Sequence, residues 1–302
     1  MKRSYIVESS FLNSRLDKWF RRNINDVPQS LIEKNIRKGN IKVNNFKKKS
    51  SYKLKENDKI ILYNIEFKSK IDNKIINYIP SKKEISNSSN LIIENNENFV
   101  VINKPSGIAV QSGTKSKRNI VDILRKTEEF EGNTPFLVHR IDKETTGILI
   151  VAKNRKYAQL FTSLFRIRKI HKTYLAVVIG SVEGKSGKYI DTLFHYEGKK
   201  KNESKAISKY TVLDSRSNYS LLKLFPETGR KHQLRKQLLI RGFPIFGDSK
   251  YRFIKNKINK KQNLMLHASE IYFTINNYRY NFIAELPEYF KKFLNEKNLK
   301  NF

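Results

Sequence analysis

The spacing of apolar positions changes along residues 14–63, and the change predicts two helices followed by two strands. The segment SRLDKWFRRN places its large apolar side chains on one face of a helix that Ser14 would open. A second helix, in PQSLIEKNIRKGN, begins near Ser30 and ends at Gly39. The segments IKVNN and DKIILYN then have the composition of short strands. We expect a small unit, bounded at 12–65, that is rich in helix and ends in strands.

Residues 66–90 separate this unit from the rest of the chain. The stretch is polar and irregular, and it contains Pro80 and a cluster of serine and asparagine residues. These features are typical of a linker. The chain therefore divides into a first domain at 12–65, a linker at 66–90 and a second domain at 91–302.

The second domain contains more predicted strands than helices. The strand-like segments FVVIN, GILIVA, TYLAVVIG, YSLLKLF, EIYFTI and YNFIAEL come in runs and do not alternate strictly with helices. Asn276 and Asn277 in TINNYRY tolerate the positive φ of a tight hairpin turn. Helices are expected at 119–128, 155–168, 231–241 and 287–298. The expected class is α+β, with a largely antiparallel mixed sheet flanked by helices.

The net charge points to a polyanionic partner. The 302 residues include 61 lysines and arginines against 28 acidic residues, a formal charge of +33, and an excess of this size attracts nucleic acid. A general richness in Lys, Asn and Ile accounts for part of the excess. A membrane surface is disfavoured, because no basic amphipathic helix stands beside a lipid-anchor motif. The start of the chain has no apolar segment after its basic residues, so we expect a cytoplasmic protein, and a monomer.

Residue types also exclude several kinds of site. The chain has no cysteine, which excludes disulfides, thiolate nucleophiles, zinc fingers and iron–sulfur clusters. The five histidines are scattered and lack the H-E-x-x-H spacing of a zinc-binding helix. No metal is expected.

Candidate chemistry is concentrated in four loop segments that combine polar residues with glycine, proline or histidine between predicted strands. They are NKPSGIAVQSG at 103–113, HRIDKETTG at 139–147, ETGRKHQLRKQL at 227–238 and LHA at 266–268. Glycine beside charged side chains suggests that a ligand approaches the backbone closely. On spacing alone, Asp142 between Arg140 and Lys143 would more often be a solvated loop residue. Each segment is a weak signal by itself.

Together these segments resemble the motifs of the RluA-type pseudouridine synthases. HRIDKETTG is similar to the family's central motif, usually written HRLDxxTSG, and NKPSG and TGRKHQLR are similar to its first and third motifs. GDSKY at 247–251 and LMLHA at 264–268 stand where such enzymes have them. Residues 14–63 resemble an S4 RNA-binding domain, from the RLD opening to IRKGNIKVN. This domain order is that of the bacterial ribosomal large-subunit subgroup, and KPSGIAVQSG and NESKAISKY resemble its RluC-like members.

The resemblance assigns three residues to catalysis. Asp142 would be the nucleophile that helps to break the uridine N1–C1′ bond and permits reattachment through C5, and a neighbouring guanidinium would keep it ionised in a dry site. Arg230 matches the arginine that pairs with this aspartate, and a cation at a helix start calls for a carboxylate partner. Tyr174 matches the tyrosine that stacks on the target base and has been considered as a proton acceptor. Without the motif, Tyr174 would be interpreted as an ordinary strand tyrosine.

Other positions are expected to bind RNA or to shape the pocket. The expected RNA- or substrate-binding residues are Arg140, His139, Lys104, Lys172, Thr146, Gln233, Arg15, Lys34, Arg37 and Lys38. Arg140 matches the arginine that fills the gap left by a flipped uridine, and flipping is expected because C1′, N1 and C5 cannot be reached together inside a stacked helix. His139, Lys104 and Gln233, together with His232, would shape the pocket, and Lys172 would contact phosphate.

The implied function is site-specific isomerisation of uridine to pseudouridine in large-subunit (23S) ribosomal RNA. The reaction involves no redox change and no net hydrolysis, so no cofactor is expected. Neither G-x-x-x-x-G-K-[ST] nor G-x-G-x-x-G occurs in the chain. The target uridines are not readable, because such enzymes recognise RNA shape and single-stranded bases.

Three other functions remain open on the sequence. A non-catalytic S4-type RNA-binding factor for ribosome assembly would use the same basic surface. A sugar-cleaving hydrolase also acts at an anomeric carbon, but it needs two carboxylates at a set separation, and beside Asp142 only Glu144 and Glu227 are loose candidates. Non-specific DNA binding through charge is the third. Formation of pseudouridine would separate the synthase from all three.

Overall fold

A computed structural model of the chain describes residues 2–24, 27–65, 78–112, 118–130, 134–197, 200–216, 218–253 and 262–300. The chain divides into two compact units, Met1–Ile76 and Asn77–Phe302, and each unit has its own hydrophobic core. No helix in the described ranges is long and apolar enough to cross a membrane.

The first unit packs two helices against a three-stranded antiparallel sheet. Its elements are β1 (Lys2–Ile6), α1 (Leu16–Asn23), α2 (Gln29–Lys38), β2 (Ile41–Val43) and β3 (Lys59–Tyr63). The strand order is β1-β3-β2. The core is built from the apolar faces of both helices and from the inward positions of β2 and β3, as the spacing of apolar residues predicted.

Several local predictions for this unit are corrected. Helix α1 begins at Leu16 rather than at Ser14, and its N-cap Arg15 makes no side-chain capping bond. Strand β1 was not predicted, because its side chains are mostly exposed and therefore show no apolar alternation. The end of α2 at Gly39 is confirmed: Gly39 is left-handed, with φ 81° and ψ 13°, and its N–H bonds back to carbonyls of the last helical turn.

The second unit contains most of the chain. Its elements are α3 (Lys82–Ser88), β4 (Ile92–Asn95), β5 (Phe99–Lys104), α4 (Ile120–Leu124), β6 (Phe136–Leu137), β7 (Thr146–Ala152), α5 (Arg155–Arg166), β8 (His171–Ile179), β9 (Ser186–Glu197), β10 (Lys200–Arg216), β11 (Tyr219–Pro226), α6 (Gln233–Ile240), β12 (Leu266–Ile275), β13 (Tyr278–Ile283) and α7 (Glu288–Glu296).

One mixed sheet forms the framework of this unit. Its strand order is β4-β5-β7-β12-β8-β11-β10-β9, with β13 paired to β12 and β6 paired to β7. Among the described strand pairs, only β7 and β12 are parallel. The sheet is therefore mixed and largely antiparallel, and the expected α+β class is confirmed for this unit.

Strands β5 and β7 are interior strands of the sheet and are largely buried on both faces. In β7, Ile148 and Ile150 pack in a cluster with Phe161 of α5, whereas Leu149 and Val151 pack in a second cluster with α4. Burial of both faces explains why residues 148–152 form an unbroken apolar run. A strand fixed on both sides gives the loop that precedes it a rigid base.

Two segments of the second unit differ from the sequence prediction. Within the expected linker at 66–90, residues 66–77 lie outside the described residues, but Lys82–Ser88 form a helix opened by a capping box between Ser81 and Glu84. The S-x-x-E signature for this helix was present in the sequence. The long hairpin β9–β10 was also missed, because many of its side chains are charged or polar. The hairpin turn at Asn276 and Asn277 is confirmed, with φ values of 51° and 63°.

Candidate active site

The loop that carries Asp142 is fixed where it enters the sheet. Strand β7 starts at Thr146, four residues after Asp142, and pairs in parallel with β12 through His267 and Ala268. Gly147 has a φ of 103°, and a Cβ atom there would overlap the backbone of Ala268. Only glycine lets the two strands approach this closely. The carboxylate of Asp142 is thus held at the edge of a rigid strand pair.

A buried lysine joins this loop to the segment after β5. Lys104 is fully buried, and its Nζ donates hydrogen bonds to the carbonyls of Pro105 (2.7 Å), Ile108 (3.0 Å) and Lys143 (3.1 Å). The carbonyl of Lys143 also accepts the Gly107 N–H at 2.9 Å. Burial lowers the pKa of Lys104 to about 7, although nearby carboxylates oppose this effect. Lys104 therefore holds the loop from the interior of the protein. This position is compatible with a role in shaping the pocket, and it excludes direct contact with a large ligand.

Arg235 is the arginine that pairs with Asp142. It lies in the first turn of α6, its side chain is 4% exposed, and its Nη1 lies 3.2 Å from Asp142 Oδ2 and 3.7 Å from Glu144 Oε2. The other edge of the guanidinium forms a two-point contact with Asp248, with Nε–Oδ2 at 2.7 Å and Nη2–Oδ1 at 2.8 Å. These carboxylates raise the pKa of Arg235 against the effect of burial. One buried guanidinium thus serves several carboxylates.

The sequence assignment of Arg230 to this pairing is therefore wrong. Arg230 is exposed in the loop before α6, and its Nε donates to the Lys205 carbonyl at 3.1 Å. The two arginines belong to the same segment, TGRKHQLR, but Arg235 lies within the helix, which turns it inward. The argument that a cation at a helix start calls for a carboxylate applies to Arg235.

His232 approaches the other oxygen of Asp142. Its Nε2 lies 3.7 Å from Asp142 Oδ1, and its Nδ1 lies 2.9 Å from the hydroxyl of Tyr251. The backbone of His232 is left-handed, with φ 54° and ψ 35°, a conformation that non-glycine residues seldom adopt. Burial lowers the pKa of His232, although Asp142 opposes the shift. The imidazole thus forms part of the cavity wall beside the carboxylate.

Gln233 fixes the loop before α6 through a buried hydrogen-bond network. Its Oε1 accepts from the Thr228 hydroxyl at 2.7 Å and from the Arg230 N–H at 3.0 Å. Its Nε2 donates to the Ile207 carbonyl at 3.0 Å and to Ser208 Oγ at 2.9 Å. The predicted pocket-shaping position is therefore one that ties α6 to β10.

Asp142 opens onto a cavity of about 360 Å³, a size typical of small-molecule sites. Arg140, Lys172 and Tyr174 lie on its walls. Burial raises the pKa of Tyr174 above its ordinary value, and the negative charge of Asp142 adds to the shift. Burial lowers the pKa of Lys172. The cavity therefore places a carboxylate, a neutral phenol and two basic side chains around one space.

A second cavity of about 420 Å³ adjoins the first and is strongly basic. Arg140, Lys172 and Arg230 line both cavities, and Arg166 and Arg168 are added in the second. Arg140 is exposed. These side chains form a continuous basic surface leading to Asp142, which suits a phosphate backbone.

His139 also lines the second cavity, but its ring is used structurally. The Ile150 N–H donates to His139 Nε2 at 2.9 Å, and the ring packs against Phe165 with centroids 4.7 Å apart. Burial lowers the pKa of His139 to about 3, and the charge of Lys172 adds to this effect. The imidazole is therefore neutral and fastens the loop to β7, as expected of a residue that shapes the pocket.

Thr146 does not contact the cavity, so its predicted substrate contact is wrong. Its side chain is buried and its Oγ1 lies 2.8 Å from His267 Nδ1. The preceding residue, Thr145, is the threonine of the pair that lines the cavity. Because β7 already begins at Thr146, alternation of the strand turns this side chain inward.

The four basic residues predicted in the first domain lie in the first compact unit. Arg15 makes a two-point contact with Asp17, at 3.0 and 2.6 Å, so part of its hydrogen-bonding capacity is used within the unit. Lys34, Arg37 and Lys38 are exposed on α2. Within the same unit Arg37 lines a groove of about 470 Å³, here called the basic groove, whose other lining residues are Glu33, Ile36, Lys47, Lys48, Lys49, Ser50 and Ser51.

Sequence reasoning missed Arg235, Asp248 and Tyr251 as parts of the site. Each belongs to a segment that had been recognised, TGRKHQLR or GDSKY, but no residue role was assigned to it. A buried arginine between apolar neighbours in a helical pattern was a usable signal, since a charge there demands a partner. In the described part of the chain, no group of three or more His, Asp and Glu side chains is arranged to hold a metal ion.

Known proteins share this arrangement of sequence and fold. The sequence pattern of the RNA pseudouridylate synthase family matches residues 98–239, a range that includes Asp142, Tyr174 and Arg235. The ribosomal large subunit pseudouridine synthase C of Buchnera aphidicola (subsp. Schizaphis graminum) is 32% identical over 96% of this chain and 95% of its own. The protein of the same name from Rickettsia bellii is 34% identical, over 95% and 99%.

A solved structure is also similar in fold to most of this chain. Human RNA pseudouridylate synthase domain containing 4 superimposes with a TM-score of 0.64 at 26% identity. The match covers 72% of this chain and 98% of the human chain.

The two arginines of the TGRKHQLR segment should differ sharply in their effect on stability. We expect Arg235→Gln to lower the free energy of unfolding by about 3–5 kcal/mol, because it leaves the buried Asp248 carboxylate without its partner. Arg230→Gln should stay within about 0.5 kcal/mol of wild type, since Arg230 is exposed. Denaturant titrations should follow circular dichroism, because the single tryptophan, Trp19, lies in the first unit. Equal losses in the two variants would contradict the assignment.

Acid should destabilise the second unit partly through His139. Its pKa is about 3 in the folded protein against an ordinary 6.5, so below pH 6.5 the unfolded chain binds a proton that the folded chain does not. The free energy of unfolding should fall as pH decreases from 6.5 towards 3. In His139→Gln this fall should be shallower, though not absent, because burial also lowers the pKa of His267 to about 4. Denaturation at pH 7, 6 and 5 measures the slope, with exposed His171→Gln as the control; an unchanged slope in His139→Gln would refute the role.

Proposed function

The chain belongs to the pseudouridine synthase family of isomerases, and from that premise we propose that it converts specific uridines of large-subunit (23S) ribosomal RNA to pseudouridine, with Asp142 as the nucleophile. The substrate is supported by the names of the Buchnera and Rickettsia relatives, both ribosomal large subunit pseudouridine synthases. The observation that carries the mechanism is Asp142 itself: its Oδ2 is held by Arg235 at 3.2 Å, and the residue lines a cavity shared with Arg140, Lys172 and Tyr174.

The reaction exchanges one bond to the ribose for another. The N1–C1′ bond breaks, a C5–C1′ bond forms, C5 loses its proton and N1 gains one, so no redox step or net hydrolysis occurs. In our proposal one oxygen of Asp142 attacks C1′ as N1 leaves, and the freed uracil turns until C5 faces C1′. The C5–C1′ bond then forms as the carboxylate departs, and loss of the C5 proton restores the ring.

We assign Tyr174 to stacking against the uracil. Burial and the nearby Asp142 raise its pKa, so the phenol stays protonated and is poorly suited to accept a proton. A neutral aromatic ring, by contrast, offers a stacking surface to a base. Of the two roles that the resemblance left open, this environment favours stacking.

The substrate has to be presented as a flipped nucleotide. A uridine inside a stacked helix does not expose C1′, N1 and C5 together, and unstacking costs a few kcal/mol. Arg140 is exposed and lines both cavities, which suits a side chain that enters the RNA in place of the flipped base. The basic second cavity, with Arg166 and Arg168, would hold the neighbouring phosphates.

We further propose that the first unit is an S4-type RNA-binding module. Its two helices and three-stranded sheet, together with the basic groove, provide a compact cationic surface. The Rickettsia relative matches over 95% of this chain, so its similarity extends into this unit. A module of this kind would raise affinity for RNA and contribute to the choice of site.

The rival functions are less well supported. A pure assembly factor would have no use for a carboxylate and arginine held together at the wall of a cavity. A hydrolase would need a second carboxylate, but Glu227 is paired with Lys188 at 3.4 Å and Lys209 at 3.2 Å, and Glu144 shares the guanidinium of Arg235.

Asp142→Asn should abolish pseudouridine formation while RNA affinity stays within about twofold of wild type. The loss should be at least about 10⁴-fold, as for removal of a nucleophile, because the amide cannot attack C1′. The measurement is carbodiimide labelling and primer extension on unmodified large-subunit rRNA, with binding measured in parallel. Glu227→Gln should keep most of the pseudouridine formation under our proposal, whereas a hydrolase would form no pseudouridine even as wild type. Full activity in Asp142→Asn would eliminate the nucleophile assignment.

Neutralising the exposed basic residues of α2 should weaken RNA binding. The triple variant Lys34→Gln, Arg37→Gln, Lys38→Gln should bind rRNA less tightly, and the slope of log affinity against log salt should become shallower by about 0.7–0.9 for each phosphate that the protein no longer neutralises. The matched control changes Lys53, Lys55 and Lys59 to Gln; these are exposed lysines of the same unit that lie outside α2. Equal losses of affinity in both triples would mean that only total charge matters.

A further inference from the structure

Asp248 occupies most of the hydrogen-bonding edge of Arg235. Its two oxygens meet Nε at 2.7 Å and Nη2 at 2.8 Å, the two-point geometry that makes arginine–carboxylate pairs strong and directional. The pair is almost inaccessible to solvent, since the side chain of Arg235 is 4% exposed and that of Asp248 is 0% exposed. Nη1 makes the contacts with the other two carboxylates, Asp142 at 3.2 Å and Glu144 at 3.7 Å.

Asp248 is itself fixed by the backbone around it. Its Oδ1 also accepts the N–H groups of Lys250 and Tyr251, both at 2.8 Å. The preceding residue, Gly247, has a φ of 76°, and a Cβ atom there would overlap the carbonyl of Asn263. The turn that presents the carboxylate is thus pressed against the chain leading into β12, and Asp248 has no room to follow Arg235 if the latter moves.

These contacts leave Asp142 with an asymmetric environment. Its Oδ2 faces the guanidinium, whereas the ion-pair contact of Oδ1, in the part of the chain that the structure describes, is with His232 Nε2 at 3.7 Å. Without Asp248, the free edge of Arg235 could turn to meet both oxygens of Asp142 in a two-point pair. Such a pair would take up the lone pairs of the oxygen that must attack.

We propose that Asp248 is a positioning residue for the reaction: it holds the Nε–Nη2 edge of Arg235 so that the guanidinium contacts Asp142 at one oxygen only and leaves Oδ1 to attack C1′. This inference rests on the function proposed above, in which Asp142 is the nucleophile. Asp248 does not line the cavity of Asp142, so its effect reaches the substrate through Arg235.

The test compares Asp248→Asn with a second carboxylate that anchors the same helix. Asp191 pairs with Arg241 Nη2 at 2.8 Å and with Gln237 Nε2 at 2.9 Å, also from α6, but it does not line the Asp142 cavity. We expect Asp248→Asn to lower kcat roughly 100-fold, as for a misplaced reacting group, with KM and rRNA affinity within about twofold of wild type. Asp191→Asn should keep the wild-type kcat, even if its melting temperature falls.

A double-variant comparison separates positioning from a general structural effect. If Asp248 acts through Arg235, Asp248→Asn should cost little further kcat in an Arg235→Lys background, where lysine cannot make a two-point pair. Should Asp248→Asn fail to fold, Asp248→Glu retains the charge but displaces the guanidinium, and its kcat should still fall with KM unchanged.

Three results would overturn the proposal: a kcat for Asp248→Asn within about twofold of wild type, a loss carried by KM, or a loss that is fully additive with Arg235→Lys. The proposed function is judged separately by the wild-type protein. Absence of pseudouridine with wild type would overturn that function, whereas an active wild type and an equally active Asp248→Asn would overturn only the role of Asp248.

Discussion

The site depends on one buried guanidinium, that of Arg235, which contacts three carboxylates at once: Asp142, Glu144 and Asp248. Arg235 is 3% exposed and Asp248 is 4% exposed as whole residues, and an unpaired charge at either position would cost several kcal/mol. The charge therefore fixes where α6, the turn at Asp248 and the loop at Asp142 can lie relative to one another. Arg235 is a long side chain, but it loses little freedom by pairing here, since a planar fork is already shaped for carboxylates. Stability and the placement of the Asp142 carboxylate come from the same contacts.

The sheet supplies the rigid base for these contacts. Residues far apart in the chain reach one site because β7 and β12 are parallel neighbours and because Gly147 lets their backbones come close. From the other side, Lys104 ties the segment after β5 to the carbonyl of Lys143. Two buried side chains thus hold the Asp142 loop at neighbouring residues, Lys104 through the Lys143 carbonyl and Arg235 through the Asp142 carboxylate. The left-handed backbone of His232 lies at the site, where local preferences give way to function.

The motifs predicted which segments form the site better than they predicted the contacts of individual side chains. The Asp142 and Tyr174 assignments to one cavity agree with the structure, because both residues stand beside strands whose apolar patterns were strong. The choice of Arg230 was wrong, because two arginines five residues apart in one segment look alike until the start of α6 is known. Thr146 was expected at the cavity, but the neighbouring Thr145 lines it. A shift of one residue moves a side chain to the other face of a strand. The hairpin β9–β10 and helix α3 escaped detection, since polar residues dominate both and local apolar spacing was the signal used.

Sequence by itself determined the class of the second unit, the family motifs and the aspartate to which they point, because these depend on local patterns: apolar period, turn residues and short ordered segments. It also determined the strong positive charge, which requires no structure to read. Tertiary structure alone decided which arginine meets Asp142, that Asp248 shares it, and that Lys104 and His139 fasten the Asp142 loop to its surroundings. Those facts depend on contacts between residues tens of positions apart, and the energy of a buried charge is set by the partners that folding brings to it, not by its neighbours in the chain.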